Sequence, residues 1–230
     1  MHDRNFLGIE GIKWLPWVGE NYPERPIGQR LLVVGESHYF TGATPEARLM
    51  DRAAYDDPRS TRTVVENLGW GTKTWKNLPR LLFRATDYNS SGFWKDAAFY
   101  NFVQRPLDKH TDERPTDADI QLGWAVFIEL VQILRPSHCL FIGVGAFKAF
   151  NHLLPSAGVE FTPVTCLEKI GTTYGRKSTI TINSHTTVLI GIRHLGRYFS
   201  WRKWNDYLAK HHPDMTRFLH AGGYNRTSLN

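Results

Sequence analysis

The apolar positions fall into short unbroken runs closed by polar turns, the pattern of strands covered on both faces. Residues 31–34 form the first run; Gly35 ends it, and Glu36, Ser37, His38, Tyr39 and Phe40 follow without a spacer. Residues 97–103, 138–143 and 187–192 repeat the pattern. Between the runs the period becomes helical. Residues 63–84 predict two helical pieces divided by Gly69-Trp70-Gly71, the second with Trp75, Leu78, Leu81 and Leu82 on one face and Pro79 suited only to a first turn. Residues 120–134 make the clearest amphipathic helix, opened by Arg114-Pro115-Thr116-Asp117 and stopped by Pro136. Residues 145–154 and 200–210 predict two more helices, the latter with Ser200 as N-cap. Alternating Thr and Ile over 171–183 predict a hairpin turning at Gly175-Arg176-Lys177.

Strands alternating with helices predict a three-layer α/β/α sandwich around a mostly parallel, four-stranded sheet. It occupies residues 31–212 as a single domain, after an irregular lead-in over 1–30 and before a polar tail over 213–230 that is expected to fray.

Composition narrows the class. Hydrophobic residues at 41% and charged residues at 22% are ordinary for a globular chain. Cys139 and Cys166 form no CxxC pair, so neither a zinc nor an iron–sulfur ligand set is predicted, and no cofactor. The first 30 residues lack a signal-peptide pattern. No apolar run approaches the roughly 18 residues of a membrane span. A cytoplasmic, soluble monomer without membrane contact is expected. The formal charge of +6 is uneven: residues 169–230 hold ten Lys/Arg against Asp206 and Asp214, and the rest holds 18 basic against 20 acidic residues. A basic last quarter, with eight Trp, nine Tyr and thirteen Phe in the chain, suits a nucleic-acid partner that is held by charge and by stacking.

Three of the runs deliver polar groups at their carboxyl ends, where open α/β sheets bind ligands. The first supplies Glu36, Ser37, His38 and Tyr39; the second Asn101 and Gln104; the last Arg193, His194 and Arg197. A carboxylate can orient water or stabilise a cation, a histidine N–H can stabilise a leaving anion, and an amide matches the edge of a pyrimidine. No GxxxxGK loop is present, and Gly143-Val144-Gly145 is too short for a dinucleotide fingerprint.

Over roughly residues 30–210 these motifs, in this order, resemble the uracil-DNA glycosylase superfamily. Gly35-Glu36-Ser37-His38-Tyr39 is similar to its first motif, and Trp75-Lys76-Asn77-Leu78-Pro79-Arg80-Leu81 to the helix after its base-stacking loop. Phe99-Tyr100-Asn101 is similar to the strand whose Asn reads the base, and residues 193–200 to its histidine loop. The resemblance implies a monofunctional glycosylase that leaves an abasic site in double- or single-stranded DNA. Glu36 and His194 would be catalytic, with Ser37, His38, Tyr39, Trp70, Trp75 and Asn101 around the flipped base. Leu195 or Tyr198 would wedge the gap, and Arg176, Lys177, Arg197, Arg202 and Lys203 would meet phosphates.

Uracil-specific members carry an Asp where this chain has Ser37, and a Pro where it has His38. The implied substrate is therefore another non-standard pyrimidine, with glucosylated hydroxymethylcytosine of phage DNA, and so antiviral defence, as the model; uracil repair is the alternative. Two further readings stay open. Gly-Glu-x-His also opens some metal-dependent or esterase-type hydrolase sites, and the fold could serve as a catalytically inactive DNA-binding module.

Overall fold

The computed structural model describes residues 3–40, 42–67, 73–196 and 198–224. In chain order its elements are α1 (Asp3–Leu7), β1 (Trp17–Val18), β2 (Leu31–Gly35), β3 (Tyr39–Phe40), α2 (Pro45–Tyr55), α3 (Ser60–Glu66), α4 (Lys73–Phe83), α5 (Ser90–Asp96), β4 (Ala98–Asn101), β5 (Leu107–Asp108), α6 (Asp117–Leu134), β6 (His138–Ile142), α7 (Phe150–Leu153), β7 (Glu160–Phe161), β8 (Thr165–Ile170), β9 (Thr173–Ile182), β10 (His185–Ile192), α8 (Trp201–His211) and α9 (Pro213–Ala221).

The four apolar runs become β2, β4, β6 and β10, which lie side by side in the order β4-β2-β6-β10 and are all parallel. The sheet is larger than the four strands expected. β1 adds antiparallel to β4, β9 adds antiparallel to β10, and both β7 and β8 pair with β9, giving eight strands. Alternate residues of the parallel strands enter two cores. Leu32, Val34, Tyr100, Cys139, Phe141 and Leu189 pack beneath α6. Leu31, Val33, Phe99, Leu140, Ile190 and Ile192 pack beneath α4, α8 and α9. The layers are thus helix, sheet and helix.

Register places the reactive ends in one row. Gly35 faces Asn101, Val34 faces Phe141, and Ile142 faces Ile192. The chain runs from β2 outward to β4 on one side and then crosses to β6 on the other. This makes the β2/β6 boundary a topological switch point, where a crevice opens outside the strand ends.

Several local expectations need correcting. Gly175, Arg176 and Lys177 lie inside β9; the turns are at Gly171-Thr172 and Asn183-Ser184, where Gly171, Asn183 and Ser184 have positive φ. Gly175 serves close packing instead, because a Cβ there would strike the Tyr207 ring on α8. Pro79 sits inside α4, and residues 145–154 split into a 3₁₀ turn, Gly145–Lys148, and the short α7. Ser200 precedes α8 without a side-chain capping bond. Gly69-Trp70-Gly71 lies outside the described residues.

Described residues on both sides of the span 31–212 pack into its cores. In the lead-in, Phe6, Leu15 and Tyr22 are core residues, and Trp17 and Val18 form the sheet edge. At the other end, Met215, Phe218, Leu219 and Tyr224 are buried. The two ends meet at Asp96, whose carboxylate accepts hydrogen bonds from Asn21 Nδ2 at 2.9 Å and Tyr224 OH at 2.6 Å and pairs with Arg25 at 3.5 Å. No described helix is long and apolar enough to cross a membrane.

A core position in α9 carries a measurable cost. Met215→Ala is expected to lower the unfolding free energy by about 2–5 kcal/mol in urea titrations, whereas a frayed tail would give no change.

Candidate functional site

The loop after β2 is held by the loop after β4. The N–H groups of Phe102, Val103 and Leu107 donate to the carbonyls of Gly35, Glu36 and His38 at 3.0, 2.8 and 2.9 Å. β3 and β5 then pair in parallel, fixing Tyr39 and Phe40. Ser37 Oγ donates to the Arg105 carbonyl at 2.5 Å, and Arg105 itself is clamped by Asp119 and Glu113. Thus the residues from Gly35 to Tyr39 have little freedom.

Above the strand ends lies a cleft of about 760 Å³. Glu36 and Asn101 line it together with His194, which follows β10; Ser37, His38, Tyr39 and Trp75 line it as well. Three segments far apart in sequence therefore bring their polar groups to one crevice.

Glu36 Oε2 accepts a hydrogen bond from the Tyr39 hydroxyl. Burial and the Glu36 charge both push the Tyr39 pKa far above its ordinary value, so the phenol stays a donor. Glu36 Oε1 faces Gly145, where even a Cβ would lie 3.4 Å away. Asn101 is buried, and its Nδ2 lies 3.2 Å from His38 Nε2. Its Oδ1 turns toward Gly35, where a Cβ would collide with it, so glycine is required by close approach.

His194 is open to the cleft, and its Nδ1 accepts the Gly196 N–H at 3.2 Å. That bond leaves the ring proton on Nε2. Surrounding protein lowers its pKa by desolvation, while the Glu36 carboxylate acts in the opposite direction. The imidazole is therefore neutral at pH 7, with Nε2–H as a donor. Its loop is tied to α4 by Asn77 Nδ2, which donates to the Leu195 carbonyl at 2.7 Å.

Other residues of the sequence reading lie elsewhere. Leu195 is fully buried beneath α4 and cannot be a wedge; Tyr198, 87% exposed with φ of 58°, is the apolar residue that this loop projects. Arg176 and Lys177 are adjacent residues of β9 and so point to opposite sheet faces. Arg176 contacts Cys166, while Lys177 lies near His138 and His212, so the pair forms no shared phosphate site. Gln104 is structural: its Oε1 accepts the Lys13 and Trp14 N–H groups. Arg202 and Lys203 are exposed on α8. Trp70 and Arg197 lie outside the described residues.

Lys109, Arg114 and Tyr55 also line the cleft and carry no local signal in the residue pattern; Lys109 and Arg114 join Arg193 in making its rim cationic. Among the described residues no group of three or more His, Cys, Asp or Glu could hold a metal ion. No family model and no curated protein sequence matches the chain.

The coupling between the two catalytic candidates has a sign. Replacing Glu36 with Gln removes the charge that favours imidazolium, so an NMR titration of Glu36→Gln should find the His194 pKa lower than in the wild type. An unchanged or higher value would show that the two groups do not sense each other.

Proposed function

We propose that this protein is a monofunctional DNA glycosylase that hydrolyses the N-glycosidic bond of a flipped-out, modified cytosine. The observation that carries this reading is the convergence of Glu36, Asn101 and His194 on one cleft at the switch point of the sheet. Each group meets one demand of the reaction. The C–N electron pair leaves with the base, and the neutral His194 Nε2–H donates to the oxygen on which that charge accumulates. Water joins the anomeric carbon and passes a proton toward Glu36, whose Oε2 is held by Tyr39, leaving Oε1 for the water. Asn101 reads the pyrimidine edge, and Trp75 contributes an aromatic wall.

DNA would be held at the cationic rim of Lys109, Arg114 and Arg193, with Arg202 and Lys203 further out. Such contacts weaken as salt rises. Tyr198 supplies the side chain that fills the gap left by the extruded base.

Two observations favour a modified base over uracil. The hydroxyl of Ser37, at the place where uracil-specific relatives carry an Asp, is engaged with the Arg105 carbonyl. A cleft of about 760 Å³ also has the size of pockets that enclose drug-sized ligands, more than a bare pyrimidine fills. Glucosylated hydroxymethylcytosine of phage DNA is the substrate we infer, with cytoplasmic antiviral defence as the setting.

Incubation with matched duplexes decides this. Abasic sites should form in glucosylated hydroxymethylcytosine DNA and only slowly in uracil DNA; rapid excision confined to uracil would replace the proposal with base-excision repair. Glu36→Gln and His194→Ala should each slow single-turnover excision by about 10²- to 10⁴-fold without loss of folding.

The two apolar residues of the histidine loop should separate cleanly. Tyr198→Ala should change stability by less than about 0.5 kcal/mol yet reduce excision from duplex more than from single strands. Leu195→Ala should cost about 2–5 kcal/mol in chemical denaturation.

A further inference from the structure

His38 is a buried imidazole held edge-on by Trp14, with ring centroids 4.4 Å apart, and stacked on Tyr55 at 5.0 Å. Its Nε2 lies 3.2 Å from Thr61 Oγ1 and 3.2 Å from Asn101 Nδ2. Thr61 is fully buried, and among the described residues this nitrogen is the partner of its hydroxyl. A buried hydroxyl places its proton on an acceptor. Nε2 therefore carries a lone pair, and the ring proton sits on Nδ1. Burial pushes the His38 pKa down to about 4, so the ring stays neutral at working pH.

The one lone pair on Nε2 is shared, in a three-centre arrangement, by the Thr61 hydroxyl and the Asn101 NH₂ group, and it repels the amide's carbonyl oxygen. The amide cannot turn over. Nδ2 is kept toward His38 and Oδ1 toward Gly35, with one amide N–H taken and the other left beside Oδ1. This matters because pyrimidines come in two opposite patterns. A 4-amino base offers a donor at C4 and an acceptor at N3, and a 4-oxo base offers the reverse. An amide matches either pattern, but only by rotating half a turn.

We infer that the His38–Thr61 pair fixes the direction in which Asn101 presents its amide, and thereby which pyrimidine class, 4-amino or 4-oxo, the cleft accepts. His38 is then a positioning residue acting through Asn101. The inference rests on the base-excision reading above. The neighbouring structure agrees with it: Thr61 enters from α3, Tyr55 from α2 and Trp14 from the lead-in, three separate segments converging on one ring.

The test uses duplexes that differ only at C4, hydroxymethylcytosine against hydroxymethyluracil, each with and without glucose. Wild-type protein should prefer one class. Thr61→Val frees the tautomer without changing shape, and the ratio of single-turnover rates should fall by roughly 10- to 100-fold. Thr61→Ser should restore it, and His38→Phe, which keeps the stacking, should abolish the preference. Unchanged ratios in Thr61→Val and His38→Phe, both still folded by thermal melting, would overturn the inference. Nitrogen NMR of the His38 ring supplies an arm independent of activity. Nε2 should be unprotonated in the wild type and a tautomer mixture should appear in Thr61→Val; a protonated Nε2 in the wild type would also overturn it. Should neither base class be excised, the glycosylase reading fails, and the nitrogen spectra still decide the tautomer lock.

Discussion

Backbone hydrogen bonds that run past the ends of two strands hold this structure's site together. The β2–β4 ladder does not stop at Gly35 and Asn101; Phe102 and Val103 continue it onto the carbonyls of Gly35 and Glu36. A loop carrying a carboxylate, a hydroxyl, an imidazole and a phenol would otherwise be free to satisfy its polar groups in water. Here its main chain is already committed, so the side chains must find partners nearby. Tyr39 takes Glu36, Ser37 takes the Arg105 carbonyl, and His38 takes Asn101 and Thr61. The organisation of the cleft follows from that shortage of freedom.

How much of this could be read from residue order depends on whether the cause was local. The four parallel strands were legible because burial on both faces leaves continuous apolar runs. Glu36, Asn101 and His194 were legible as partners because parallel strands deliver their carboxyl ends to one edge. Elements whose shape is set by distant partners were not. Gly175 looks like a turn residue, but its reason is the Tyr207 ring lying across β9. Leu195 and Tyr198 are equally apolar in sequence, and the Asn77 bond to the Leu195 carbonyl accompanies the burial of one and not the other. For α9 a signal existed: Met215, Phe218 and Leu219 have helical spacing behind Pro213, masked by the His- and Gly-rich residues around them.

Charge along the chain also differs from charge in space. The basic last quarter looks like one positive face, but its members are dispersed. Lys177 lies near two buried histidines, and Lys210 is paired with Glu168. The cationic rim of the cleft instead draws Lys109 and Arg114 from the part of the chain whose formal charge is nearly balanced. Net charge by segment is a statement about composition, and folding redistributes it.

The Asp96 junction has a consequence for the order in which the protein can be made. Its carboxylate, two positions before β4 begins, joins Asn21 and Arg25 to Tyr224, 128 positions further along the chain than Asp96. A nascent chain that has delivered every strand but not α9 lacks Met215, Phe218 and Leu219 from the core face that α4 and α8 also cover. The Asp96 junction beside the strand that carries Asn101 is therefore complete only once Tyr224 is in place. Completion of that junction depends on a segment far downstream of the residues that line the cleft.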